Sequence, residues 1–254
     1  MLTTVVITGS SALAARMAGV VNHAFPDAIF IIEERAPPRS LLRVRIRRHG
    51  LFTALGQVAF RAVLARKIFF QSARIDAVWR AGGLKEAPVT EGQIWYTSEL
   101  NGPATHAYLR DVHPAVVIIF AVSKLTQATL AACAAPVLNL HPGITPAYRG
   151  VHTGYWALRM GDRNRFGATV HLVDDGLDTG PIVDQILCTP DQDDNIATYN
   201  VRLVVAGLES LLRAAKIVRD GVPLATRPSG PAAPLFHEPT LLSYLVGGIR
   251  NKVW

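Results

Sequence analysis

Apolar residues along the chain alternate between short β-branched runs and longer stretches at helical spacing. Thr4 to Thr8 is such a run; Gly9-Ser10-Ser11 turns the chain, Ala12 to His23 reads as a helix and Ala28 to Glu33 as a second strand. That order is a βαβ opening with a parallel sheet. After Pro37-Pro38, Leu41 to Arg80 carries apolar residues at helical spacing, with Gly50 and Gly56 as interruptions. This predicts one or two helices inserted after the second strand. Ile94 to Thr97 reads as a strand and Pro103 to Asp111 as a helix. Val116 to Phe120 is a continuous apolar run, the pattern of a central parallel strand buried on both faces. Thr126 to Ala132 is helical, Val137 to Asn139 a short strand, and Thr169 to Val173 with Ile182 to Leu187 form a hairpin around Asp175-Gly176. An amphipathic helix from about Asn195 to Val218 turns Ile196, Tyr199, Leu203, Gly207, Leu208 and Leu211 inward, and Gly221 follows its end. A Pro- and Gly-rich stretch from Pro223 to Pro239 leads to a last short helix, Leu241 to Ile249. The pattern predicts an α/β protein built on a mostly parallel twisted sheet with helices on both faces. Residues 1–218 form the main domain with a helical insert at about 38–90, and residues 219–254 are a short C-terminal extension packed on the core.

Composition agrees with a folded chain. Its 254 residues are 50% hydrophobic and 18% charged, enough to bury a sizeable core. Cys133 and Cys188 offer neither a disulfide framework nor metal-type spacing and fit a reducing compartment. The N-terminus does not read as a signal peptide, and no apolar run is long enough to span a bilayer, so a cytoplasmic location without membrane insertion is expected. The net charge of +7 points to an anionic partner. Arg35, Arg39, Arg43, Arg45, Arg47 and Arg48 cluster early, as either a solvated helix face or a phosphate-binding patch.

Chemistry concentrates in two segments, Asn139-Leu140-His141-Pro142-Gly143-Ile144-Thr145-Pro146-Ala147-Tyr148-Arg149-Gly150 and Asp175-Gly176-Leu177-Asp178-Thr179-Gly180-Pro181. They offer an amide, an imidazole and a carboxylate at the C-terminal end of a parallel strand, where open α/β sheets bind ligands. The set suits acyl transfer to an amine that attacks directly. Asn139 can donate to a tetrahedral oxyanion. His141 can donate there or shuttle a proton, and Asp178 can orient His141 or accept a proton through water. Pro142 and Pro146 stiffen the loop carrying His141. Tyr148, Arg149, Gly150 and His152 are the substrate-facing candidates; Tyr148 and Arg149 read equally as a packed aromatic and a surface charge. Gly150 would allow close ligand approach, and His152 would meet a phosphate or amine. His171, on a strand, reads as core. Neither H-E-x-x-H nor C-x-x-C occurs, and no metal is expected.

The ordered residues resemble the folate-dependent formyltransferases: an asparagine, one residue, His-Pro, then Pro-x-Tyr-Arg-Gly, Thr-x-His and Leu-Asp-x-Gly-Pro. The resemblance runs from about Pro114 to Gln185. Gly143 and Thr145 depart from the serine and leucine usual after His-Pro, and Phe166 stands where a threonine is common. The resemblance implies the Rossmann-like formyltransferase fold, Asn139, His141 and Asp178 as catalytic residues, and 10-formyltetrahydrofolate as co-substrate. It implies folate against the backbone of Ala121, Val122, Ser123, Lys124 and Leu125 and of the loop carrying Asp174 and Asp175. It also implies a homodimer.

Three acceptors compete. Methionyl-tRNA formyltransferases carry a sizeable C-terminal barrel, for which the 36 residues 219–254 after the Asn195 helix are too few. Glycinamide ribonucleotide formyltransferases lack the Arg-rich insert. Length, insert and the Tyr-Arg-Gly-x-His-x-x-Tyr-Trp run look most like enzymes formylating a nucleotide-linked 4-amino-4,6-dideoxy sugar. Within that class the GDP-perosamine type of O-antigen and lipopolysaccharide synthesis is the first expectation, with no nucleic-acid partner. A catalytically inactive ligand-binding homologue is the non-enzyme alternative.

Overall fold

The computed structural model describes residues 2–34 and 39–254. Arg35 and Pro37-Pro38 lie outside the described residues, as do the side chains of Arg39 and Arg48. In chain order the elements are β1 (Thr3–Gly9), α1 (Ala12–Ala24), β2 (Ile29–Glu33), α2 (Arg39–His49), α3 (Leu51–Phe70), α4 (Ser72–Ala81), β3 (Ile94–Thr97), α5 (Pro103–Val112), β4 (Pro114–Phe120), α6 (Gln127–Cys133) and β5 (Val137–His141). There follow β6 (Arg149–Gly150), α7 (Thr153–Arg159), β7 (Gly167–Leu172), β8 (Ile182–Leu187), α8 (Tyr199–Arg219), β9 (Leu235–Phe236) and α9 (Leu241–Asn251).

Seven strands form one sheet in the order β3-β2-β1-β4-β5-β7-β8. The pairings from β3 through β5 are parallel; those of β7 with β5 and β8 are antiparallel. Helices cover both faces. Val6, Ile118, Leu138 and Leu140 join Met17 and Val21 of α1 and Leu203, Leu208 and Leu211 of α8 in one core. Val5, Ile7, Val117 and Ile119 join Leu109 of α5 and Ala132 of α6 in the other. Burial on both faces is why the central strands are apolar without alternation.

The insert differs from the expectation of one or two helices: α2, α3 and α4 are separate. Gly50, at φ 81°, breaks the first pair. Gly56 interrupts nothing, because it lies inside α3 where the Thr240 side chain packs, 2.9 Å from the position a Cβ would take. The start of α8 moves from Asn195 to Tyr199. Asp194 to Thr198 instead forms a hydrogen-bonded turn ahead of the helix, in which the Thr198 hydroxyl donates to Asp194 at 3.0 Å and accepts from the Asn195 amide at 3.0 Å.

The C-terminal segment ties the insert to the sheet domain. β9 pairs in parallel with β6, and α9 packs on α3. Glu238 forms ion pairs with Arg45 of α2 at 2.9 Å and Arg61 of α3 at 2.7 Å, while its backbone carbonyl accepts from Gln57 at 2.9 Å. One member of the early arginine cluster, Arg45, is therefore committed to an intramolecular contact.

Candidate active site

Asn139 and His141 are two residues apart on β5, so both side chains leave the same face of the sheet. The register sets Asn139 opposite His171 and His141 opposite Thr169 on β7. Those four polar side chains therefore share one face. The intervening Leu138, Leu140, Ala168 and Val170 point the other way into the core under α8. The strand runs to His141 rather than stopping at Asn139, so the site lies across the sheet face as well as at its edge.

The 173–181 loop folds back over that face and delivers Asp178, which has φ 53°. Its Oδ1 lies 3.5 Å from His141 Nδ1 and 3.9 Å from His171 Nε2, and its Oδ2 accepts from the Gly150 amide at 3.1 Å. Gly150 has φ 99°, and an added Cβ would stand 2.2 Å from the Phe236 carbonyl oxygen, so no side chain fits there. Arg149 secures the loop. Its buried guanidinium donates to the Leu177 carbonyl at 2.9 and 2.5 Å and to the Ala233 carbonyl at 2.6 Å. Asp174 closes the loop's own turn, accepting from the Gly176 amide at 3.0 Å and the Thr179 hydroxyl at 2.7 Å. Asp175 is exposed.

Backbone carbonyls assign the imidazole tautomers, because a carbonyl only accepts. His141 Nε2 lies 3.0 Å from the Tyr148 carbonyl oxygen, so Nε2 carries hydrogen and Nδ1 faces Asp178. His171 Nδ1 lies 2.8 Å from the Leu172 carbonyl oxygen, leaving Nε2 to accept from the Asn139 amide at 3.1 Å. Burial pushes the His171 pKa down against the pull of the Leu172 hydrogen bond, in keeping with a neutral ring. Sequence reasoning read His171 as core. It is buried, but it also holds the Asn139 side chain. The signal was available: Thr-x-His on a strand antiparallel to Asn-x-His puts matching positions on one face.

Residues around the loop do structural work. Tyr148 is buried, stacks on Phe236 at 5.4 Å and donates its hydroxyl to Asp162 at 3.0 Å; burial and that bond push its pKa up to about 12. His152, at φ 54°, turns its ring edge to Phe60 of α3 at 5.7 Å, and burial lowers its pKa. The departure at Gly143 has a steric cause: a Cβ there would lie 2.6 Å from the Thr153 hydroxyl and 2.7 Å from the Tyr148 carbonyl oxygen. Thr145 meets the sheet through its backbone, its amide donating to the Thr169 hydroxyl at 3.1 Å and its carbonyl accepting from Gln185 at 2.6 Å. Phe166 fills the core, edge-on to Tyr199 at 5.8 Å.

Ala121 to Leu125 follow β4 at the same sheet edge. Ala121 has φ 55°, and its carbonyl oxygen lies 2.5 Å from where a Cβ on Gly9 would be. The Ser123 amide donates to Glu33 at 2.8 Å, and the Lys124 carbonyl accepts from Asn101 at 3.0 Å. Leu125 is buried, Val122 half-buried, and Ala121, Ser123 and Lys124 are exposed. Two cavities open along this edge. One of about 360 Å³ lies beside Glu33, Asn101 and Ser123. The other, about 610 Å³, is mostly apolar and lies between α1 and the β2–β3 edge, with Gly9-Ser10-Ser11 in its wall.

A family profile described as formyl transferase matches residues 75–215. Among curated relatives, the mitochondrial 10-formyltetrahydrofolate dehydrogenase of Homo sapiens is 40% identical over 82 residues, 32% of this chain and 9% of that protein. A methionyl-tRNA formyltransferase of Thermodesulfovibrio yellowstonii is 33% identical over 115 residues, 45% of this chain and 37% of that protein. The chain thus spans well under half the length of either relative. Among solved structures, glycinamide ribonucleotide transformylase 1 of Symbiobacterium toebii superposes with a TM-score of 0.56 at 17% identity, covering 89% of this chain and 94% of that one. The N-formyltransferase of Helicobacter canadensis, in complex with folinic acid and dTDP-3-aminofucose, gives 0.55 at 12% identity and covers 93% and 71%. These structural likenesses establish a shared fold.

Proposed function

The chain belongs to the formyl transferase family, and we propose that it is a folate-dependent N-formyltransferase. In this reading it moves the formyl group of 10-formyltetrahydrofolate to the amino group of a nucleotide-linked amino sugar, of the 4-amino-4,6-dideoxy, GDP-perosamine-like kind used in surface polysaccharides. The observation that carries the chemistry is the Asp178 carboxylate 3.5 Å from His141 Nδ1, over the face that also bears Asn139. The Helicobacter protein's complex with folinic acid and dTDP-3-aminofucose supports the acceptor class.

The amine nitrogen attacks the formyl carbon and the carbonyl electrons move to oxygen. Asn139 has two amide hydrogens; one goes to His171, and the second is free to donate to the oxyanion. Such a donor contributes about 3–4 kcal/mol when preorganised. The attacking nitrogen must then lose a proton. His141 Nε2 is held by the Tyr148 carbonyl, so Nδ1 is the nitrogen that accepts it. The imidazolium so formed faces Asp178. Collapse breaks the carbon–N10 bond, and the proton returns to N10 of the departing tetrahydrofolate. Folate would lie along Ala121 to Leu125 and the 173–181 loop, where Ser123, Lys124 and Asp175 are exposed.

Glycinamide ribonucleotide is the second reading, favoured by the nearly full overlap with that transformylase. One assay separates them. The purified protein is given 10-formyltetrahydrofolate with GDP- and dTDP-linked amino sugars, glycinamide ribonucleotide or methionyl-tRNA, and tetrahydrofolate release and formylated product are followed. Turnover fastest with a nucleotide amino sugar is expected. Preference for either other acceptor overturns the acceptor assignment, and no turnover with any overturns the activity.

A further inference from the structure

The solvent face of α3 reads as if it were buried. Leu51, Leu55, Val58, Ala62, Ala65 and Phe69 recur at four-three spacing, the period of one continuous helix stripe, and all are exposed. Phe52 is 88% exposed and Phe69 is 74% exposed. The opposite face of the helix is already used, with Ala54, Gln57 and Phe60 buried. A helix apolar on both sides normally has cover on both. α9, which packs on α3, likewise exposes Leu242 at 72% and Ile249 at 74%.

Charge selects what covers it. Residues 35–75 contain nine arginines and one lysine and no acidic residue, so the rest of the chain is net negative. Arg45 and Arg61 are paired with Glu238, and Arg74 with Asp191. Arg43, Arg47 and Arg66 are exposed on the same helices. A second copy applied face to face would bring two acid-free basic segments together. An anionic surface would complement them, and exposed Phe and Leu side chains suit shallow burial at a headgroup boundary. Among the described residues, no helix is long and apolar enough to cross a membrane, so the contact is one of lying on the surface.

We propose that α2, α3 and α9 form a docking face for an anionic phospholipid bilayer. The exposed apolar stripe enters the interface, and Arg43, Arg47 and Arg66 meet the headgroups. The inference does not depend on the formyl acceptor, and its test does not use activity. Full-length protein is sedimented with vesicles of phosphatidylcholine alone or of phosphatidylcholine with phosphatidylglycerol. Affinity for the anionic vesicles is expected to exceed that for neutral ones by at least about tenfold and to fall at high salt. The double variant Phe52→Ser/Phe69→Ser and the triple variant Arg43→Gln/Arg47→Gln/Arg66→Gln should each reduce binding while keeping the wild-type circular dichroism and melting temperature. Sedimentation velocity without lipid is run on the same proteins. Equal or absent binding to the two vesicle types overturns the proposal. So does unchanged vesicle binding in folded variants, or a wild-type dimer that the phenylalanine variant dissociates, which would make the face a contact between copies.

Discussion

The Asn139 side-chain amide donates to His171 Nε2 at 3.1 Å, and His171 is itself fixed by the Leu172 carbonyl at 2.8 Å. The amide proposed to receive the oxyanion is thus aimed by a neighbouring strand rather than left to rotate. His171→Leu should remove the acceptor and lower kcat by about tenfold or more with little change in KM, the signature of a loss felt in the transition state. His171→Gln, which retains an acceptor oxygen, should recover part of it. Steady-state kinetics of both variants test the point. Wild-type kcat in the leucine variant would mean that Asn139 is aimed by something else.

His141 and Asp178 should fail together. Asp178→Asn keeps an oxygen for the Gly150 amide but removes the charge facing His141 Nδ1. Loss of positioned acid–base function costs roughly 10²–10⁴-fold, and His141→Asn should cost a similar factor. If the two act as a unit, the double variant should be little worse than either single one. Multiplicative losses in single-turnover rates would show that they act separately.

Much of the sheet was legible from its short strand-like runs: Val116 to Phe120, apolar throughout and buried, became the core of β4, and Ile182 to Leu187, an edge strand interrupted by Asp184 and Gln185, matches β8. Asn139, His141 and Asp178 were legible as an ordered set, and β5 and the 173–181 loop bring them within hydrogen-bonding or ion-pairing reach of one another or of His171. What escaped was set by contacts distant in sequence. β6 and β9 pair Arg149 and Gly150 with Leu235 and Phe236, a register that two-residue strands cannot announce. α7 is short and is preceded by His152 in a left-handed conformation, in place of a usual N-cap residue. Arg149 read as a substrate contact or a surface charge, whereas its guanidinium meets carbonyls 28 and 84 residues away.

Arg149 therefore makes its own prediction. Arg149→Met leaves the Leu177 and Ala233 carbonyls without their donor. Leaving a fully buried acceptor without its donor costs about 1–3 kcal/mol; these two carbonyls are part-buried, so a total loss of roughly 1–3 kcal/mol is expected in urea unfolding. The 173–181 loop should become sensitive to limited proteolysis, and kcat should fall as Asp178 loses its place. A variant with wild-type stability and proteolytic pattern would reduce Arg149 to a bystander. Arg149→Lys should not rescue it, since one ammonium cannot span both carbonyls as the guanidinium does.

Stability should depend on pH through His171 and His152. Burial lowers the pKa of both His171 and His152 below the ordinary histidine value of 6.5. In the unfolded chain each ring takes up a proton near 6.5, whereas in the folded protein each does so only at lower pH. The unfolded state therefore binds more protons in that interval, and stability falls as the medium is acidified through it. Above about pH 6.5 both rings are neutral in either state and their contribution is fully present. The melting temperature should be level from about pH 7 to 8 and decline below about 6.5. The double variant His171→Gln/His152→Gln should show a shallower decline over the same interval, whatever its absolute stability. Thermal melts of both proteins across the series decide it. Parallel curves would assign the acid sensitivity to carboxylates instead, and a steeper decline in the variant would mean that the two rings oppose it.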